Sequence, residues 1–461
     1  MSNEPETLQE EQLNPAGPEE TEAPEQPEEA EVSEPSEETE ASEEPEEAEP
    51  AEEAEDSIPD DLLITDYIAQ QQAKEDEKSK PHTPEWLRRL GDALLHSRKL
   101  HITLLSLLVI AAVVCFFAFG GQTLSDRVVR QVRYAGNSAE FSFDSHSSND
   151  YLSFRRGLAV ASVSGLLCLD EDGKEAALVQ NRTDPPALLT NDTVALCYGI
   201  GGSTLTAAHH RKGTVLDLTI PGTLLDADLS SDSCVCYAGV QSGYKTVLTA
   251  LDKTGEEIYT WYSSTQFFSQ CAISKKARYM AAVALGQNGS SFETTCVLFA
   301  TDREEPVAEV SLGSDLVYDL RFVSPRRLCA VGESGIHYFD IDGSNYANYP
   351  YTGGELLFFD TQADNFTAIV RNMNEAGSRF RITTVDDRGE QLAELSLDDE
   401  IVDISANGRY LAVLTADSLR VYDRRLRLCL SEDNVGFATR VCMQRDGAVL
   451  LIDGASARRV G

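Results

Sequence analysis

The first 60 residues of this chain lack Lys and Arg entirely. They hold 25 Asp and Glu, so the remaining residues carry a net charge near −14 out of −39 for the chain. Nucleic-acid binding needs a basic surface that neutralises phosphates, and neither part of the chain has one. The sequence therefore predicts no nucleic-acid partner.

Spacings that bind metals are also missing. The 10 cysteines include no CxxC pair. Cys234 and Cys236 are two positions apart in a predicted strand, so their side chains point to the same face. A disulfide between them would strain the strand. The segment from Asp340 to Gly343 begins like a calcium loop but lacks the terminal Glu of an EF-hand. We predict no metal site and no bound cofactor.

No nucleophile–base arrangement stands out either. His209 and His210 are adjacent, but Arg211 and Lys212 follow them at a predicted turn, which favours a solvated turn over a catalytic pair. A denser aromatic group is where we would first look for a ligand surface, although packing between repeats explains it more simply. Its members are Tyr338, Phe339, Tyr346, Tyr349, Pro350, Tyr351, Phe358 and Phe359. We predict no catalytic residue and no enzyme.

Residues 1–83 are predicted to be a disordered acidic tail rich in Pro and Glu. Within it, the low-complexity stretch over residues 19–56 has charges of one sign only and no aromatic residue, and such a chain cannot offset its conformational entropy by burial. The tail is either a solvated spacer or an acidic segment that attracts a basic partner. Within it, Leu62–Ala69 is either a docking motif for a cytoplasmic partner or a transient helix.

Only one long apolar run occurs, Leu100–Phe119. A helix of roughly 20 apolar residues crosses a hydrocarbon core about 30 Å thick, so we predict a transmembrane helix over 100–120. The run is too long and too far from the N-terminus for a cleaved signal peptide. A buried core helix is the alternative. We predict an amphipathic juxtamembrane segment over 84–99 and a stalk over 121–138.

Basic residues on the two sides of the predicted span set its orientation. The upstream side has Arg88, Arg89, Arg98 and Lys99, and the downstream side has Arg127, Arg130 and Arg133. This balance predicts a single-pass protein of the cell membrane with a cytoplasmic N-terminus and an extracytoplasmic C-terminal domain. Nine cysteines in that domain are an objection, because an oxidising compartment favours disulfides.

From about residue 139 the chain reads as repeated β-structure. An Asp-x-x-Gly element begins at Asp170, Asp252, Asp340 and Asp386. With degenerate copies at His210–Gly213, around Asp302 and at Tyr422–Arg425, successive copies lie roughly 40–50 residues apart. Asp caps a type I turn and Gly accepts the positive φ that the turn requires, so the element joins antiparallel strands. The period is that of a propeller blade.

The repeats predict an all-β fold, an eight-bladed β-propeller over 139–461. Opening strands are expected near residues 150, 187, 225, 267, 316, 355, 401 and 437. The last repeat is short, so we expect the spare strand Ala139–Asp144 to complete it and close the ring. Seven blades is the alternative, because the first two repeats are the least regular.

This layout resembles a family of uncharacterised single-pass, membrane-anchored propeller proteins of anaerobic Gram-positive bacteria. The resemblance rests on the Asp-x-x-Gly elements and on a Ser-x-x-Gly-Arg-Tyr-x-Ala element over Ser405–Ala412. The repeats also resemble WD40-like and quinoprotein-like blades, without the Trp-Asp dipeptide and with only Trp86 and Trp261 in the chain. The resemblance implies no activity.

Together these patterns predict a non-enzymatic platform. The propeller would bind a protein or polymer at the cell envelope, and one helix would contact membrane lipid. An envelope hydrolase or lyase with its site in the propeller channel is the alternative. Carboxylates and His with perturbed pKa values in the channel would favour that alternative. If the topology is inverted, the chain is a cytosol-facing scaffold.

Overall fold

The computed structural model describes residues 98–118, 139–373 and 379–461. The predicted tail over 1–83, most of the juxtamembrane segment over 84–99 and the predicted stalk over 121–138 lie outside these ranges.

An α-helix, α1, spans Arg98–Ala118, 21 residues that cover most of the predicted 100–120 helix. Its side chains are described from Ile102 to Ala112, and all of them are exposed. Over the described residues, no helix meets both the length and the apolarity that crossing a membrane requires. The transmembrane role of this segment stays a prediction.

The described residues after α1 form 32 strands in eight four-stranded antiparallel sheets. Each sheet is one blade, and its strands follow one another from the ring axis outward. Blades 1 to 4 comprise β2 (Asp150–Phe154), β3 (Gly157–Ser162), β4 (Gly165–Leu169), β5 (Glu175–Gln180); β6 (Pro186–Thr190), β7 (Val194–Gly199), β8 (Thr204–His209), β9 (Gly213–Thr219); β10 (Thr223–Leu229), β11 (Val235–Gln241), β12 (Tyr244–Leu251), β13 (Glu257–Ser263); and β14 (Phe267–Ile273), β15 (Tyr279–Asn288), β16 (Ser291–Ala300), β17 (Ala308–Ser311).

Blades 5 to 8 continue the pattern around the ring. They comprise β18 (Val317–Ser324), β19 (Arg327–Gly332), β20 (Gly335–Asp340), β21 (Ala347–Pro350); β22 (Glu355–Asp360), β23 (Thr367–Asn372), β24 (Phe380–Val385), β25 (Gln391–Leu397); β26 (Ile401–Asn407), β27 (Tyr410–Thr415), β28 (Leu419–Asp423), β29 (Leu428–Glu432); and β30 (Arg440–Met443), β31 (Val449–Asp453), β32 (Ser456–Val460), β1 (Glu140–Ser142). A short 3-10 turn, Lys275–Ala277, links β14 to β15. The prediction of an eight-bladed propeller is confirmed.

The ring closes through β1, which is the outermost strand of blade 8. Phe141 pairs with Ala457 of β32, while the other three strands of this blade come from the C-terminal end of the domain. Phe141 is fully buried. Both the spare strand and its pairing with the last blade were predicted from the sequence, and both are confirmed.

The hydrophobic core lies between neighbouring blades. The middle strands of each blade are covered on both faces, and all six residues of β27 are buried. Between blades 4 and 5, for example, Val283 of β15 packs in one cluster with Leu320 and Leu328. Outer strands are less covered, and β25 has only exposed and partly buried positions.

The Asp-x-x-Gly elements form the turns between third and fourth strands. At Asp252 the carboxylate accepts the N–H groups of Thr254 and Glu256 at 2.7 and 3.0 Å, and Gly255 has φ of 82°. At Asp340 the carboxylate instead binds Arg327 and Asn345, at 3.1 and 2.6 Å. These repeats therefore set the blade period through local turn geometry, as the sequence predicted.

Candidate functional site

The first strand of each blade borders the central channel and has a sheet partner on one side only. Such an edge leaves backbone N–H groups facing the channel, and buried N–H groups need acceptors. The channel wall therefore depends on side chains that satisfy these groups.

Aspartates of the first strands supply many of these acceptors. Each reaches forward to the first strand of the next blade. The Leu188 N–H donates to Asp150 at 3.0 Å, the Ala406 N–H to Asp360 at 2.7 Å, and the Val441 N–H to Asp403 at 2.8 Å. We call these residues, with Asp226 and Asp228, the bridging aspartates.

Asp226 and Asp228 form a double bridge from blade 3 to blade 4. The Cys271 and Ile273 N–H groups donate to them at 2.8 Å each. The hydroxyl of Tyr198 donates to the other oxygen of Asp226 at 3.0 Å, and the Leu229 N–H donates to the other oxygen of Asp228 at 2.8 Å. Both oxygens of each carboxylate are thus engaged by the protein.

Burial raises the pKa of the bridging aspartates. It brings the pKa of Asp226 to about 7 and those of Asp228, Asp360 and Asp403 to about 6, although their N–H donors act in the opposite direction. Removing a carboxylate from water costs more than these hydrogen bonds return. The charge of Arg321 also lowers the pKa of Asp228 and Asp360.

A cavity of about 520 Å3 opens at the end of the channel where the first strands finish. Residues at or just beyond the end of every first strand line it. We call this site the channel mouth, defined in blade order by Arg155, Asp192, Ser231, Lys275, Ser324, Asp364, Asn407 and Arg445. Its size is that of ordinary small-ligand pockets.

The side chain of Asn407 connects three blades at this opening by hydrogen bonds. The amide of Asn407 in blade 7 donates to the Met443 carbonyl in blade 8 at 3.2 Å and to Ser153 Oγ in blade 1 at 2.9 Å. Turn residues around the mouth are thus held by the ring itself, so the site is a built surface rather than a set of independent loops.

Charges at the mouth are unequally paired. Arg445 binds Asp364 at 2.9 Å. Arg155, Lys275 and half-buried Arg321 line the cavity, and among the described residues none of their side chains has a hydrogen-bond or ion-pair partner. Among the carboxylates that line the cavity, Asp192 likewise has no hydrogen-bond or ion-pair partner within the described residues. The described mouth therefore offers more unused donors than unused acceptors.

The aromatic group singled out from the sequence does not form one surface. Tyr338 and Phe339 are buried in the core, and the guanidinium of Arg371 in blade 6 lies over the ring of Tyr351, which follows the last strand of blade 5. Tyr346 is 48% exposed and its hydroxyl is 2.7 Å from His337 Nδ1, while His337 Nε2 is 2.8 Å from Asp315. Packing between blades accounts for most of the group.

The opposite end of the propeller carries exposed aromatic rings that sequence reasoning missed. Tyr244 and Tyr262 lie with ring centroids 4.7 Å apart. The Lys245 ammonium lies 5.1 Å from the centroid of Phe267 and donates to the Thr265 carbonyl. Tyr244 and Phe267 lie where a third and a first strand begin, and Tyr262 lies near the end of a fourth strand, all away from the channel mouth.

The remaining predicted candidates do not join the mouth. His209 and His210 stack at 4.4 Å beside the turn after β8. Cys234 and Cys236 are buried and not in disulfides, like six of the other seven cysteines described in the propeller. Within the described ranges, no three His, Cys, Asp or Glu side chains are grouped to hold a metal.

Sequence reasoning also missed the bridging aspartates and Arg321. Their signal was an Asp with apolar neighbours inside an opening strand, as in Leu224–Leu229. The acceptor and its donor are 38 to 46 residues apart, which is one blade length. A search for Asp at the blade period within opening strands would have found the aspartates, whereas Arg321 carries no such signal.

Solved structures with this fold include WD40 and other propellers. The C-terminal WD40 domain of Sif2 is similar with a TM-score of 0.50 and 12% identity, over 69% of this chain and 96% of that one. The Dos1 propeller aligns with a TM-score of 0.48 and 13% identity, over 70% and 94%. At these identities the likeness is one of fold. No curated protein sequence matches the chain.

A protein family does match. Residues 129–433 fit a family of unknown function (DUF5711), and the chain belongs to that family. The resemblance to an uncharacterised family of WD40-like propellers is confirmed at this level. Its membrane anchor and its bacterial source stay predictions.

Proposed function

For this member of a family of unknown function, we propose a non-enzymatic binding platform anchored in the cell membrane. The propeller presents its channel mouth to a protein or polymer partner at the cell envelope. The observation that carries the proposal is the mouth itself. All eight blades contribute to one cavity, and three cationic side chains in it have no partner within the described structure.

The bridging aspartates support binding rather than chemistry. Proton transfer needs a carboxylate with an oxygen available to the substrate. Asp226 and Asp228 each use both oxygens on donors of the protein, so their role is to hold the channel wall. Within the described part of the chain, no histidine lines the cavity.

An envelope hydrolase or lyase is the second candidate, favoured by the raised pKa values of Asp226 and Asp228. A carboxyl group with a pKa of about 6 or 7 suits general acid catalysis near neutral pH. The variant D226N separates the two functions, because its amide oxygen still accepts the Cys271 N–H group and its amide NH2 can donate to the Tyr198 hydroxyl oxygen. A platform keeps partner binding in this variant, whereas an enzyme that uses Asp226 loses turnover.

The membrane anchor is proposed from α1 and the sequence around it. Its described side chains from Ile102 to Ala112 are exposed, and large apolar surfaces of this kind need a cover. The apolar run from Leu100 to Phe119 has the length of a helix that spans the hydrocarbon core of a bilayer, so lipid would bury these side chains. The basic residues upstream of the run support a cytoplasmic N-terminus.

Burial removes the objection raised by the propeller thiols. Eight of the nine cysteines in the described propeller are buried, and burial raises the pKa of Cys168, Cys197 and Cys329 to about 12. A thiol reacts as its thiolate, so these side chains resist oxidation in either compartment. Reduced cysteines are therefore compatible with an extracytoplasmic propeller.

The first experiment tests topology with Cys429, the one propeller thiol of the described set that is not buried. Intact cells that express the full chain are treated with a membrane-impermeant maleimide. Labelling that disappears in C429S places the propeller outside the membrane. Labelling that needs permeabilised cells contradicts the proposed orientation and leaves the cytosol-facing scaffold.

The binding role is tested by site-specific photo-crosslinking. A photoreactive residue at Ser231, on the channel mouth, is compared with one at Gly201, a turn residue at the opposite end. A discrete adduct from Ser231 alone, repeated in D226N, supports a platform that uses the mouth. Equal or absent adducts at both positions contradict it.

A further inference from the structure

We propose that the channel mouth binds an anionic, hydroxyl-rich polymer, a saccharide or polyol chain that carries carboxylate or phosphate groups. This inference rests on the platform function proposed above and names the chemistry of its ligand. Three features support it. Arg and Lys side chains of the mouth have no partner, hydroxyl and amide side chains lie between them, and the channel-facing strand edges already donate their N–H groups to side chains.

The unused charged groups at the mouth are mainly donors. Arg and Lys side chains donate and cannot accept. Arg155, Lys275 and Arg321 have no partner within the described structure, and only Asp192 among the lining carboxylates lacks one as well. A ligand that satisfies this set must be rich in acceptor oxygens and carry negative charge.

Arg321 is the central donor of the site. It is half-buried on β18, and its charge reaches Asp228 and Asp360, whose pKa values it lowers. Neither carboxylate is hydrogen-bonded to it, because Asp228 and Asp360 accept backbone N–H groups instead. The carboxylates balance its charge across the channel, while its planar fork of N–H donors stays available for an oxyanion.

Arg155 and Lys275 give the mouth its excess positive charge. Both are exposed and lie just beyond the ends of β2 and β14. Arg155 occupies the hairpin turn between β2 and β3 with φ of 58°, a backbone conformation that fixes where its side chain leaves the chain. The rim therefore attracts anions, and the effect weakens as salt screens it.

Hydroxyl and amide groups fill the spaces between these charges. Ser231, Ser324, Gln362 and Asn365 line the cavity, and their side chains have no partner within the described residues. Such groups exchange hydrogen bonds with the hydroxyls of a sugar or polyol. A bare inorganic ion would leave them unused.

An acidic peptide fits the mouth less well than a polyol does. Extended peptides bind by adding a strand to an open sheet edge or by filling apolar pockets. The channel-facing edges of the first strands already donate to side chains, as the Leu188, Ala406 and Val441 N–H groups do. Strand addition is therefore blocked at several blades.

Binding to the purified full chain in detergent micelles tests the inference. The probes are oligogalacturonate, poly(glycerol phosphate), neutral dextran and poly-glutamate, measured by calorimetry at low and high salt. We expect at least one of the two anionic polyols to bind, with the better one identifying carboxylate or phosphate as the recognised group. Dextran should not bind.

Arg321 variants locate the binding. R321Q should weaken polymer binding about 10-fold or more, because a charge-assisted hydrogen bond is lost. R321K should bind with an affinity between those of R321Q and wild type. The matched control is R182Q, which removes an exposed arginine without a described partner from the opposite end of the ring. It should bind like wild type.

Three results would overturn the inference: neither anionic polyol binds better than dextran, R321Q binds as tightly as wild type, or poly-glutamate binds best. Repeating the Ser231 crosslink in R321Q separates this from the platform proposal. An adduct that persists in R321Q keeps the platform and rejects the anionic ligand. Loss of the adduct in R321Q but not in R182Q supports both.

Discussion

At the scale of single residues, the bridging aspartates explain how a ring of edge strands stays sealed around its axis. Each one replaces a missing sheet partner with a carboxylate from the preceding blade. The cost is a set of buried carboxyl groups whose pKa values lie above the ordinary value of 3.8. That cost makes the stability of the propeller depend on pH.

We expect the free energy of unfolding to fall as pH rises from 5 to 8. The folded pKa of Asp226, about 7, exceeds its unfolded value of 3.8, so the folded state holds the proton more tightly. The stabilisation is full below 3.8 and is lost as pH rises through 7. For Asp226 the change is on the order of 1–3 kcal/mol.

Urea denaturation at fixed ionic strength measures this effect. D226N should flatten the pH dependence, because its amide resembles the protonated acid. D192N, at an exposed carboxylate of the channel mouth, should leave the slope unchanged. A wild-type protein that is equally stable or more stable at pH 8 would contradict the assignment.

Gly157 is a second residue with a sharp expectation. A Cβ there would lie 2.0 Å from the Leu169 carbonyl oxygen, closer than any real contact, and that oxygen belongs to the neighbouring strand backbone. We expect G157A to prevent stable folding of blade 1. G201A has positive φ but an open surrounding, so it should cost only about 1 kcal/mol. Soluble yield and circular dichroism distinguish the two variants.

At the scale of elements, β1 is the piece on which ring closure depends. It contributes three residue pairs to β32 and one fully buried side chain, Phe141. Without it the edge of β32 would be open to pairing with other chains.

Deleting residues 1–143 should therefore destabilise the propeller and promote aggregation. A deletion of 1–138, which keeps β1, is the matched control and should unfold like the full chain. F141A should cost about 3–5 kcal/mol by leaving a cavity. Light scattering and denaturation midpoints report the difference, and two equally soluble deletions would show that β1 is dispensable.

Elements were also what the sequence predicted best. Opening strands expected near 267, 355 and 401 begin at Phe267, Glu355 and Ile401. This succeeded because the blade turns are local, and an Asp with a Gly three residues later specifies its own geometry. The last blade was expected near 437 and begins at Arg440, after a connection that carries no such turn.

The channel mouth was not predictable in the same way. Its residues come from eight turns, and nothing local in Arg321 or Asn407 tells which partners the ring brings near them. Asn407 contacts Ser153, 254 residues away in sequence. Recognising the site required knowing which ends of the first strands face the same opening.

At the scale of the whole molecule, nearly all propeller thiols are shielded. We expect a native chain treated with maleimide to react at Cys429 well before any other described propeller cysteine, because the other eight are buried. Mass spectrometry of labelled peptides with and without denaturant measures this order. Rapid native labelling of Cys236 or Cys296 would show that the blades open far more readily than their packing indicates.

Ring closure also decides how the molecule would carry mechanical load. The chain enters the propeller at Glu140, in the strand that seals the ring. If α1 is held in a membrane while a polymer pulls on the channel mouth, tension reaches the domain through β1 and its three pairs with β32. The pairing of β1 with β32 would then break first. The force that the protein could bear while bound to the polymer would be limited by this strand pairing rather than by the ligand contacts.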